Sequence, residues 1–509
     1  MTDYLQRILR ARVYDVARET PLEPAPNLSR RLDNQVWLKR EDLQPVFSFK
    51  LRGAYNRMAQ LSAEELKRGV IASSAGNHAQ GVALSARKLG CRAVIVMPST
   101  TPEVKVRAVK ALGGQVVLHG ETYDECSAEA RRRCEAEGLT FIHPFDDPEV
   151  IAGQGTIGME IMRQAEHPPD AIYIAVGGGG LIAGIGAYVK QLWPETELIG
   201  VEPIDADAMT RSLEKGERVE LSQVGLFADG VAVRSVGLHT FELAQRFVDR
   251  MITVDTDAIC AALKDVFEDT RSILEPAGAL AIAGMKQDVA DRTLQQKRLV
   301  AVACGANMNF DRLRFIAERS ELGEEREAML AVEIPERPGS LRTLCELLST
   351  RSLTEFSYRM TDGAKAQIFI GVQVIDERDR SALLDQLKQG GFPALDLSGN
   401  EFAKVHLRHM VGGRLPKSAR EACAGECTEL LYRFEFPERP GALMTFVNAL
   451  HPDWSISIFH YRNHGADVGR IVVGVLVPDQ DKDGWTTFLA ELGYPYWEET
   501  QNPAYGLFL

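Results

Sequence analysis

The stretch Ala171-Ile-Tyr-Ile-Ala-Val-Gly-Gly-Gly-Gly180-Leu-Ile-Ala-Gly-Ile-Gly-Ala-Tyr-Val189 decides how this chain folds. It carries no charged side chain and is almost long enough to cross a bilayer. Four consecutive glycines interrupt it, however, and each glycine destabilises a helix interior by about 1 kcal/mol. The pattern therefore predicts a buried strand, a glycine turn and a following helix, and it predicts no membrane segment.

The same alternation of strand and helix extends on both sides of this stretch, from about residue 30 to residue 310. Short β-branched or apolar runs predict strands at Gly69–Ala72, Ala93–Met97, Gln115–Leu118, Ala171–Val176, Leu198–Glu202 and Arg298–Ala303. Amphipathic segments between them, such as Gln80–Leu89 and Glu103–Leu112, predict helices. Alternation of this kind indicates an α/β fold in which helices cover both faces of parallel sheets.

An internal repeat follows in the C-terminal part of the chain. Three motifs recur in order, 102 or 103 residues apart: Ile334-Pro-Glu-Arg-Pro-Gly-Ser-Leu341 as Phe436-Pro-Glu-Arg-Pro-Gly-Ala-Leu443, Phe356-Ser-Tyr-Arg359 as Phe459-His-Tyr-Arg462, and Ile368-Phe-Ile-Gly-Val372 as Ile471-Val-Val-Gly-Val475. The earlier occurrence of the three motifs marks what we call the first copy, and the later occurrence marks the second copy. Each copy predicts a small βαβ-type unit with a Pro-Gly turn before its helix. The segment Glu318–Glu327 is too polar for a core and predicts a boundary before the repeat.

Composition excludes several classes of protein. The 509 residues suggest two to four domains, and the net charge of −13 with no Lys/Arg-rich block argues against a nucleic-acid binder. Eight cysteines in so long a chain form no disulfide framework, and no Cys/His set has zinc-site spacing. The N-terminal residues lack the apolar core of a signal peptide. We therefore expect a cytoplasmic protein without a metal site.

The first candidate for chemistry is Lys50, in Ser48-Phe-Lys-Leu-Arg-Gly-Ala54. A lysine is usually a surface charge, and this interpretation stays open from these residues alone. Here, however, the lysine lies between apolar residues at the predicted start of a helix. Burial disfavours the ammonium form, and a neutral amine is what the capture of an aldehyde requires.

The second candidate is Ser73-Ser-Ala-Gly-Asn-His78, which follows the predicted strand Gly69–Ala72. Small residues at a strand-to-helix turn leave backbone N–H groups free to bind an anion such as a carboxylate. Asn77 either caps the helix or donates to a ligand oxygen, and His78 is ambiguous in the same way.

The third candidate is the loop Gly177–Leu181, where glycines allow the backbone to approach a phosphate at a helix N-terminus. An alternative is a dinucleotide site, since Gly178-x-Gly180-x-x-Ala183 fits that fingerprint and Glu202 ends a strand where a ribose-binding acid belongs. Two observations disfavour this alternative: the fingerprint falls in the middle of the domain, and it accounts for neither Lys50 nor Asn77.

The fourth candidate is Cys304-Gly-Ala-Asn307, directly after the predicted strand Arg298–Ala303. Cys304 is either a small core residue or a site residue, because parallel sheets bind ligands at the carboxyl ends of their strands.

Taken together, the four motifs resemble the fold type II (tryptophan synthase β-like) pyridoxal-phosphate enzymes, in the order and spacing of the serine/threonine dehydratases. The repeat is similar to the regulatory region of biosynthetic threonine deaminases. The resemblance extends from about Leu5 to Leu509. It implies a catalytic domain at 1–320 with two parallel-sheet subdomains, followed by two ACT-like α+β regulatory subdomains at 327–412 and 425–509.

The resemblance also implies roles for individual residues. Lys50 would carry the pyridoxal 5'-phosphate as a Schiff base and act as the catalytic base. The implied cofactor contacts are Phe49, Lys50, Asn77, Gly177, Gly178, Gly179, Gly180, Leu181 and Cys304. The implied contacts to the substrate carboxylate are Ser74, Ala75, Gly76 and His78.

The activity implied is that of a carbon–nitrogen lyase, which converts L-threonine to 2-oxobutanoate and ammonia in the first step of isoleucine biosynthesis. The family also implies a homotetramer inhibited by isoleucine and opposed by valine, with Tyr358 and Tyr461 as the best candidates for effector contacts. An L-serine dehydratase on the same fold is the alternative; an inactive amino-acid sensor is disfavoured by the intact motifs. Ala75, where similar racemases have serine, implies elimination without racemisation. Ala208, where an acid is expected, implies that no divalent metal is required.

Overall fold

A computed structural model gives the fold of this chain, which divides into two compact units, Met1–Ile316 and Ala317–Leu509. The structure describes residues 3–323, 326–335, 343–344, 347–348, 351, 353–358, 365–407, 427–437, 445–446, 449–451, 454–462 and 468–508.

Helices and parallel strands alternate along the first unit. The helices that begin in it are α1 Tyr4–Leu9, α2 Pro26–Leu32, α3 Lys50–Met58, α4 Ala63–Arg68, α5 Asn77–Leu89, α6 Glu103–Ala111, α7 Tyr123–Glu137, α8 Pro148–Gln164, α9 Gly180–Leu192, α10 Ala208–Lys215, α11 Leu238–Phe247, α12 Thr256–Thr270, α13 Pro276–Arg292 and α14 Arg312–Gly323. The strands are β1 Leu22–Pro24, β2 Gln35–Arg40, β3 Val70–Ser73, β4 Ala93–Met97, β5 Gln115–Leu118, β6 Thr140–Phe141, β7 Ala171–Ala175, β8 Glu197–Pro203, β9 Arg250–Val254 and β10 Arg298–Ala303.

These strands form two sheets. The larger has the order β1-β2-β10-β7-β8-β9 and is parallel except for β1, which pairs antiparallel with β2. The smaller has the order β5-β4-β3-β6 and is entirely parallel. The predicted α/β fold with two parallel-sheet subdomains is therefore confirmed.

The charge-free stretch 171–189 lies at the centre of the larger sheet. All five residues of β7 are buried, and so is every residue of α9 as far as Val189. Helix α9 packs closely on α8, because a Cβ atom at Gly184 would lie 2.5 Å from the Ile151 carbonyl oxygen. The stretch is apolar because protein surrounds it on all sides. Among the described residues, no helix has both the length and the apolar character that a membrane span needs.

The second unit contains two antiparallel sheets of the same order, β12-β13-β11-β14 and β16-β17-β15-β18. Their strands are β11 Glu327–Pro335, β12 Leu353–Tyr358, β13 Lys365–Gln373, β14 Ala394–Asp396, β15 Cys427–Pro437, β16 Ser455–Arg462, β17 Val468–Pro478 and β18 Tyr496–Glu498. The helices are α15 Glu377–Gln389, α16 Glu401–Val405, α17 Lys482–Leu492 and α18 Pro503–Phe508. Among the described residues, each copy thus has a fourth strand and two further helices beyond the predicted unit, and the ACT-like α+β class is confirmed.

Both Pro-Gly turns, together with Leu341 and Leu443, lie outside the described residues. The helix predicted after each turn is described only in part. The described remainder supports a core-facing segment in each copy. Leu344, Leu347 and Leu348 pack into the first core, and Phe446 and Leu450 pack into the second.

The cores of the two copies differ in composition. Among the side chains that the structure describes, the first contains aliphatic residues and one aromatic ring, that of Phe392. The second is largely aromatic: Tyr432, Phe434, Phe436, Phe446, Trp454, Trp485 and Phe488. The opposite faces of the two sheets meet in one shared cluster, which includes Phe369 from the first copy and Val472 from the second.

The segment Glu318–Glu327, predicted to be too polar for a core, is in fact partly buried. Arg319 is 4% exposed and Glu327 is 3% exposed. Arg319 is buried because it pairs with Glu401, whose Oε1 atom lies 2.6 Å from the Arg319 guanidinium and 3.2 Å from that of Arg470. One carboxylate oxygen therefore joins α14, the first copy and the second copy.

Candidate active site

A cavity that is partly open to solvent lies in the first unit, beside the carboxyl ends of β7 and β10. Parallel-sheet proteins bind ligands at this end of their strands. The cavity is lined by Phe49, Lys50, Asn77, Phe145, Ala175, Gly177, Gly178, Gly179, Gly180, Leu181, Gly230, Val231, Glu275, Ala277 and Cys304. All of the predicted cofactor contacts are on that lining, although they come from four separate parts of the sequence.

Lys50 is the first residue of α3, as its motif predicted. The segment before it is held against the strand end after β10, since the Phe49 N–H donates to the Cys304 carbonyl at 3.2 Å. The Lys50 Nζ atom donates to the Pro144 carbonyl at 3.2 Å and lies 5.4 Å from the centre of the Phe49 ring. Burial lowers the pKa of Lys50 to about 8, because the ammonium ion loses its hydration. A neutral amine is therefore accessible near physiological pH.

The glycine loop between β7 and α9 has no room for side chains. A Cβ atom at Gly178 would lie 2.3 Å from the Phe145 ring, and one at Gly177 would lie 2.8 Å from the Val231 Cα atom. Gly179 has φ +90°, a backbone conformation that favours glycine. The Thr240 hydroxyl donates to the Gly178 carbonyl at 2.6 Å and fixes the loop. Because the first turn of a helix leaves backbone N–H groups without intrahelical acceptors, the loop can hold a phosphate.

The residues Ser74–Gly76 form the turn between β3 and α5. The Gly76 N–H donates to the Ser74 hydroxyl at 3.2 Å. A Cβ atom at Gly76 would meet nothing within 4 Å, so there is open space beside the turn. Contact of Ser74, Ala75 and Gly76 with a substrate carboxylate stays a prediction that this geometry permits.

His78 lies beneath that turn rather than beside the open space. Its side chain is 3% exposed, and its Nε2 atom donates to the Ile142 carbonyl at 2.9 Å. Burial, together with the charge of Lys50, lowers the pKa of His78 to about 3. The imidazole is therefore neutral at physiological pH, and it packs in the interior of the first unit. Its contact with the substrate carboxylate stays a prediction.

Asn77 has two side-chain partners. Its Nδ2 atom donates to Glu275 Oε1 at 2.5 Å, and its Oδ1 atom accepts from Asn307 Nδ2 at 2.5 Å. Burial raises the pKa of Glu275 to about 7, and the negative charge of Asp229 adds to this effect. The sequence analysis missed Glu275; its position directly before Pro276, at the start of an apolar helix, was the only local signal.

Cys304 is 4% exposed, and its thiol donates to the Ala277 carbonyl at 3.3 Å. Burial raises the pKa of Cys304 well above its usual value, so the group is a neutral thiol. Phe145, Val231 and Thr240 complete the loop's surroundings and carry no recognisable local motif.

Glu202 has a structural role that the dinucleotide alternative did not foresee. Its carboxylate accepts from the backbone N–H groups of Met209 and Thr210 at 2.9 and 2.8 Å and from the Thr210 hydroxyl at 2.7 Å. It therefore caps α10 and has no free side for a ribose, so the nicotinamide alternative is wrong. In the part of the chain that the structure describes, no group of three or more His, Cys, Asp or Glu side chains is arranged to hold a metal ion.

Comparisons with known proteins agree with this geometry. Residues 13–305 match the family model described as pyridoxal-phosphate dependent enzyme. Residues 318–407 and 421–509 match the one described as C-terminal regulatory domain of threonine dehydratase. The chain belongs to the threonine dehydratase family of pyridoxal-phosphate enzymes.

Several members of this family align with the whole chain. A biosynthetic L-threonine dehydratase of Burkholderia multivorans is 57% identical over 510 residues, covering 100% of this chain and 99% of that one. The Escherichia coli protein of the same name is 50% identical, covering 100% and 97%. The solved processed form of threonine deaminase isoform 2 from Solanum lycopersicum has 55% identity and a TM-score of 0.62, covering 63% of this chain and 88% of that one.

Family membership makes pyridoxal phosphate the cofactor, and the cavity fits it. The space left free by Gly177 and Gly178, at the N-terminus of α9, suits a phosphate. On the other side of the cavity lie a buried amine (Lys50), an amide (Asn77) and a neutral thiol (Cys304), which match an aldehyde, a ring hydroxyl and a ring nitrogen in turn.

The predicted effector tyrosines occupy equivalent positions in the dehydratase's two regulatory sheets. Tyr358 ends β12 and pairs with Ile368; Tyr461 lies in β16 and pairs with Ile471. Both tyrosine side chains are outside the described part of the structure.

Proposed function

We propose that this protein removes the hydroxyl and amino groups of L-threonine and so forms 2-oxobutanoate and ammonia. The observation that carries the proposal is the half-buried Lys50 side chain, whose amine lies in one cavity with the glycine loop of a pyridoxal-phosphate enzyme. The substrate is proposed from the full-length relatives named L-threonine dehydratase. The first committed step towards isoleucine is the pathway position that follows.

Lys50 is the proposed acid–base group of the reaction. Pyridoxal phosphate, when bound, withdraws electrons from the α-carbon of the amino acid and so makes its proton acidic. Because burial lowers the pKa of Lys50 to about 8, part of the enzyme has a neutral amine at pH 7 that can accept that proton. The β-hydroxyl leaves as water, and the resulting enamine tautomerises to an imine that a water molecule hydrolyses to 2-oxobutanoate and ammonia.

The remaining cofactor contacts would bind the pyridoxal phosphate and modulate the electronic properties of its ring. Gly177, Gly178, Gly179, Gly180 and Leu181 would bind the phosphate through backbone N–H groups, and Phe49 would pack on the ring. Asn77 would donate to the ring oxygen. The neutral Cys304 thiol cannot hold positive charge on the ring nitrogen as a carboxylate would, which favours prompt loss of the hydroxyl over accumulation of a carbanion.

The turn that contains Ser74, Ala75, Gly76 and His78 is the proposed site for the substrate carboxylate. Ala75 carries no acidic or hydroxyl group that could return a proton to the opposite face of the α-carbon. We therefore expect elimination without formation of D-threonine or D-allo-threonine. We also expect full activity after EDTA treatment, since Ala208 stands where an acidic ligand would be needed.

The second unit is proposed to sense amino acids. Isoleucine would inhibit and valine would oppose it, with Tyr358 and Tyr461 contacting the effectors. The domain limits we propose are 1–320 for the catalytic part and 327–412 and 425–509 for the ACT-like subdomains, supported by the family matches at 318–407 and 421–509. A cytoplasmic homotetramer is carried over from the family resemblance.

One spectroscopic experiment tests the proposal. The purified chain should show a yellow absorbance band that borohydride abolishes and that Lys50→Ala lacks. L-threonine should be consumed with a higher kcat/KM than L-serine, measured as 2-oxo acid formed. A colourless protein, a Lys50→Ala variant of unchanged activity, or a preference for serine would contradict it.

A further inference from the structure

Asn307 follows β10 and lies at the edge of the cofactor cavity without lining it. Its Nδ2 atom donates to the Val46 carbonyl at 2.9 Å and to the Asn77 side-chain oxygen at 2.5 Å. Both amide hydrogens of Asn307 are therefore used, one on the backbone and one on the residue proposed to contact the cofactor.

This arrangement fixes which end of each amide points where. A backbone carbonyl can only accept hydrogen bonds, so the nitrogen of Asn307, rather than its oxygen, has to face Val46. The same nitrogen faces Asn77, which must then present an acceptor. Asn77 consequently turns its oxygen towards Asn307 and its NH₂ group the other way.

The NH₂ group of Asn77 has two hydrogens. One is donated to Glu275 Oε1 at 2.5 Å, and this bond can form whether or not Glu275 carries a proton on its other oxygen. The carboxyl group reaches Asn77 because the neighbouring residue is Gly305, where a Cβ atom would lie 2.2 Å from Glu275 Oε1. The second hydrogen is then available to a ligand in the cavity that Asn77 lines.

We propose that Asn307 is a positioning residue that makes Asn77 present an N–H donor, and never its oxygen, to the ring oxygen of pyridoxal phosphate. The direction is set by the Val46 carbonyl and passed through two amides to the cavity. The inference rests on the cofactor site proposed above. If Asn77 were turned round, its oxygen would face the ring oxygen, and two acceptors would meet in a buried site.

Asn307→Asp tests this direction, because the substitution preserves the shape of the side chain and removes both donors. A carboxylate accepts from the Asn77 NH₂ group and so turns the amide round. We expect the affinity for pyridoxal phosphate to fall by about tenfold or more, the effect of about 1.4 kcal/mol. The measurement is titration of the full-length, cofactor-depleted chain with pyridoxal phosphate, followed by absorbance.

The matched control is Asn34→Asp, the same change at another asparagine whose side-chain nitrogen donates to backbone. Asn34 is 5% exposed, and its Nδ2 atom donates to the backbone carbonyls of Leu32 and Leu294 at 2.5 and 2.8 Å. It is not part of the cavity lining. Asn34→Asp should lower the melting temperature while leaving the affinity for pyridoxal phosphate within about twofold, the scatter of additive distant changes. An equal loss of affinity in both variants would overturn the inference.

A double variant separates direction from charge. Adding Glu275→Gln to Asn307→Asp removes a negative charge at pH 8, above the pKa of Glu275 of about 7, so at that pH a purely electrostatic effect predicts that affinity recovers. The directional model predicts no recovery, because the new amide can donate to the reversed Asn77 oxygen and stabilise it there. Recovery to within about twofold of the unsubstituted chain would overturn the inference.

Asn77→Ala distinguishes failure of this inference from failure of the proposed site. If Asn77→Ala binds pyridoxal phosphate as tightly as the unsubstituted chain, the placement of Asn77 at the ring oxygen is wrong, and the inference falls with it. If Asn77→Ala weakens binding and Asn307→Asp does not, only the role of Asn307 is wrong.

Discussion

The catalytic cavity and the duplicated regulatory sheets depend on their sequences in different ways. In the cavity, individual residues are fixed by specific contacts: Gly178 lies against the Phe145 ring, and Asn77 lies between Glu275 and Asn307. In the second unit the same strand order is built around an aliphatic core in the first copy and an aromatic core in the second. Chemistry therefore fixes individual residues, whereas the sheet fixes only the pattern and the volume of its core.

The largest expected effect concerns Glu202, a buried carboxyl group of the catalytic unit. Burial raises the pKa of Glu202 to about 7, to which Asp207 contributes, so the native state binds a proton that the unfolded chain releases near pH 4.5. The stability from this group is complete below pH 4.5 and is lost as the pH rises through 7. Because of this group, the unsubstituted chain should lose roughly 3 kcal/mol of unfolding free energy as the pH rises from 4.5 through 7. Glu202→Gln should abolish that loss.

The measurement for Glu202 is the thermal midpoint of both proteins at intervals from pH 5 to pH 8. The curve of the unsubstituted chain should fall more steeply than that of Glu202→Gln. Parallel curves would show that Glu202 makes no measurable contribution to the pH dependence of stability and would contradict the prediction.

The second effect concerns glycine. Gly178→Ala forces the Phe145 ring to move, since the added Cβ atom would lie 2.3 Å from it. Overpacking of this kind costs about 1–3 kcal/mol, and if the whole cost falls on the cofactor-bound state, affinity for pyridoxal phosphate drops roughly 5- to 150-fold. Gly399→Ala is the matched control, because a Cβ atom at that position of the first copy would meet nothing within 4 Å. Equal cofactor affinities in the two variants would remove the contrast between the regions.

The third effect tests whether the two copies still share a function. Tyr358→Ala should raise the isoleucine concentration for half-inhibition by about fivefold or more, the lower end of typical allosteric couplings, while threonine turnover stays nearly unchanged. The equivalent variant, Tyr461→Ala, is compared in the same assay. Unchanged inhibition in Tyr358→Ala would exclude that tyrosine as an effector contact.

The smallest effect exchanges one core residue for its counterpart. Phe446 is fully buried, and the first copy has Leu344 at the equivalent place, 102 residues earlier. If the sheet requires only pattern and volume, Phe446→Leu should cost about 1 kcal/mol, whereas Phe446→Ala should cost about 3–5 kcal/mol. Denaturant unfolding followed by tryptophan fluorescence measures both. Similar losses would mean that the second core is as specific as the cavity.

Much of the fold was predictable because several of its strands are short, mainly apolar runs. The bounds of Ala93–Met97, Gln115–Leu118 and Arg298–Ala303 are as predicted. The strand predicted at Gly69–Ala72 begins one residue later, because Gly69 has φ +100° and ends the preceding helix. Such shifts arise where a cap, and not hydrophobicity, decides the boundary.

What the sequence does not reveal is which polar residues become buried together. Lys39 lies in a strand and has the sequence appearance of a surface charge, yet its Nζ atom is buried at 2.7 Å from Glu160 Oε2. Arg52 is fully buried between Glu160 and Glu41. Glu275 escaped notice for the same reason, since its partner Asn77 is 198 residues away. These pairings depend on the tertiary fold, and no local period encodes them.

The aromatic core of the second copy gives that copy intrinsic tryptophan fluorescence and a near-ultraviolet circular dichroism signal. Trp454 and Trp485 pack edge to face with their ring centroids 5.3 Å apart, and the Arg433 guanidinium lies over the Trp497 ring at 4.6 Å from its centre. The first copy, by contrast, contains no tryptophan between residues 327 and 412. Emission and near-ultraviolet circular dichroism therefore report on one of two otherwise similar modules. The other two tryptophans of the chain, Trp37 and Trp193, lie in the first unit, so a signal change that persists after both are replaced by phenylalanine comes from the second copy.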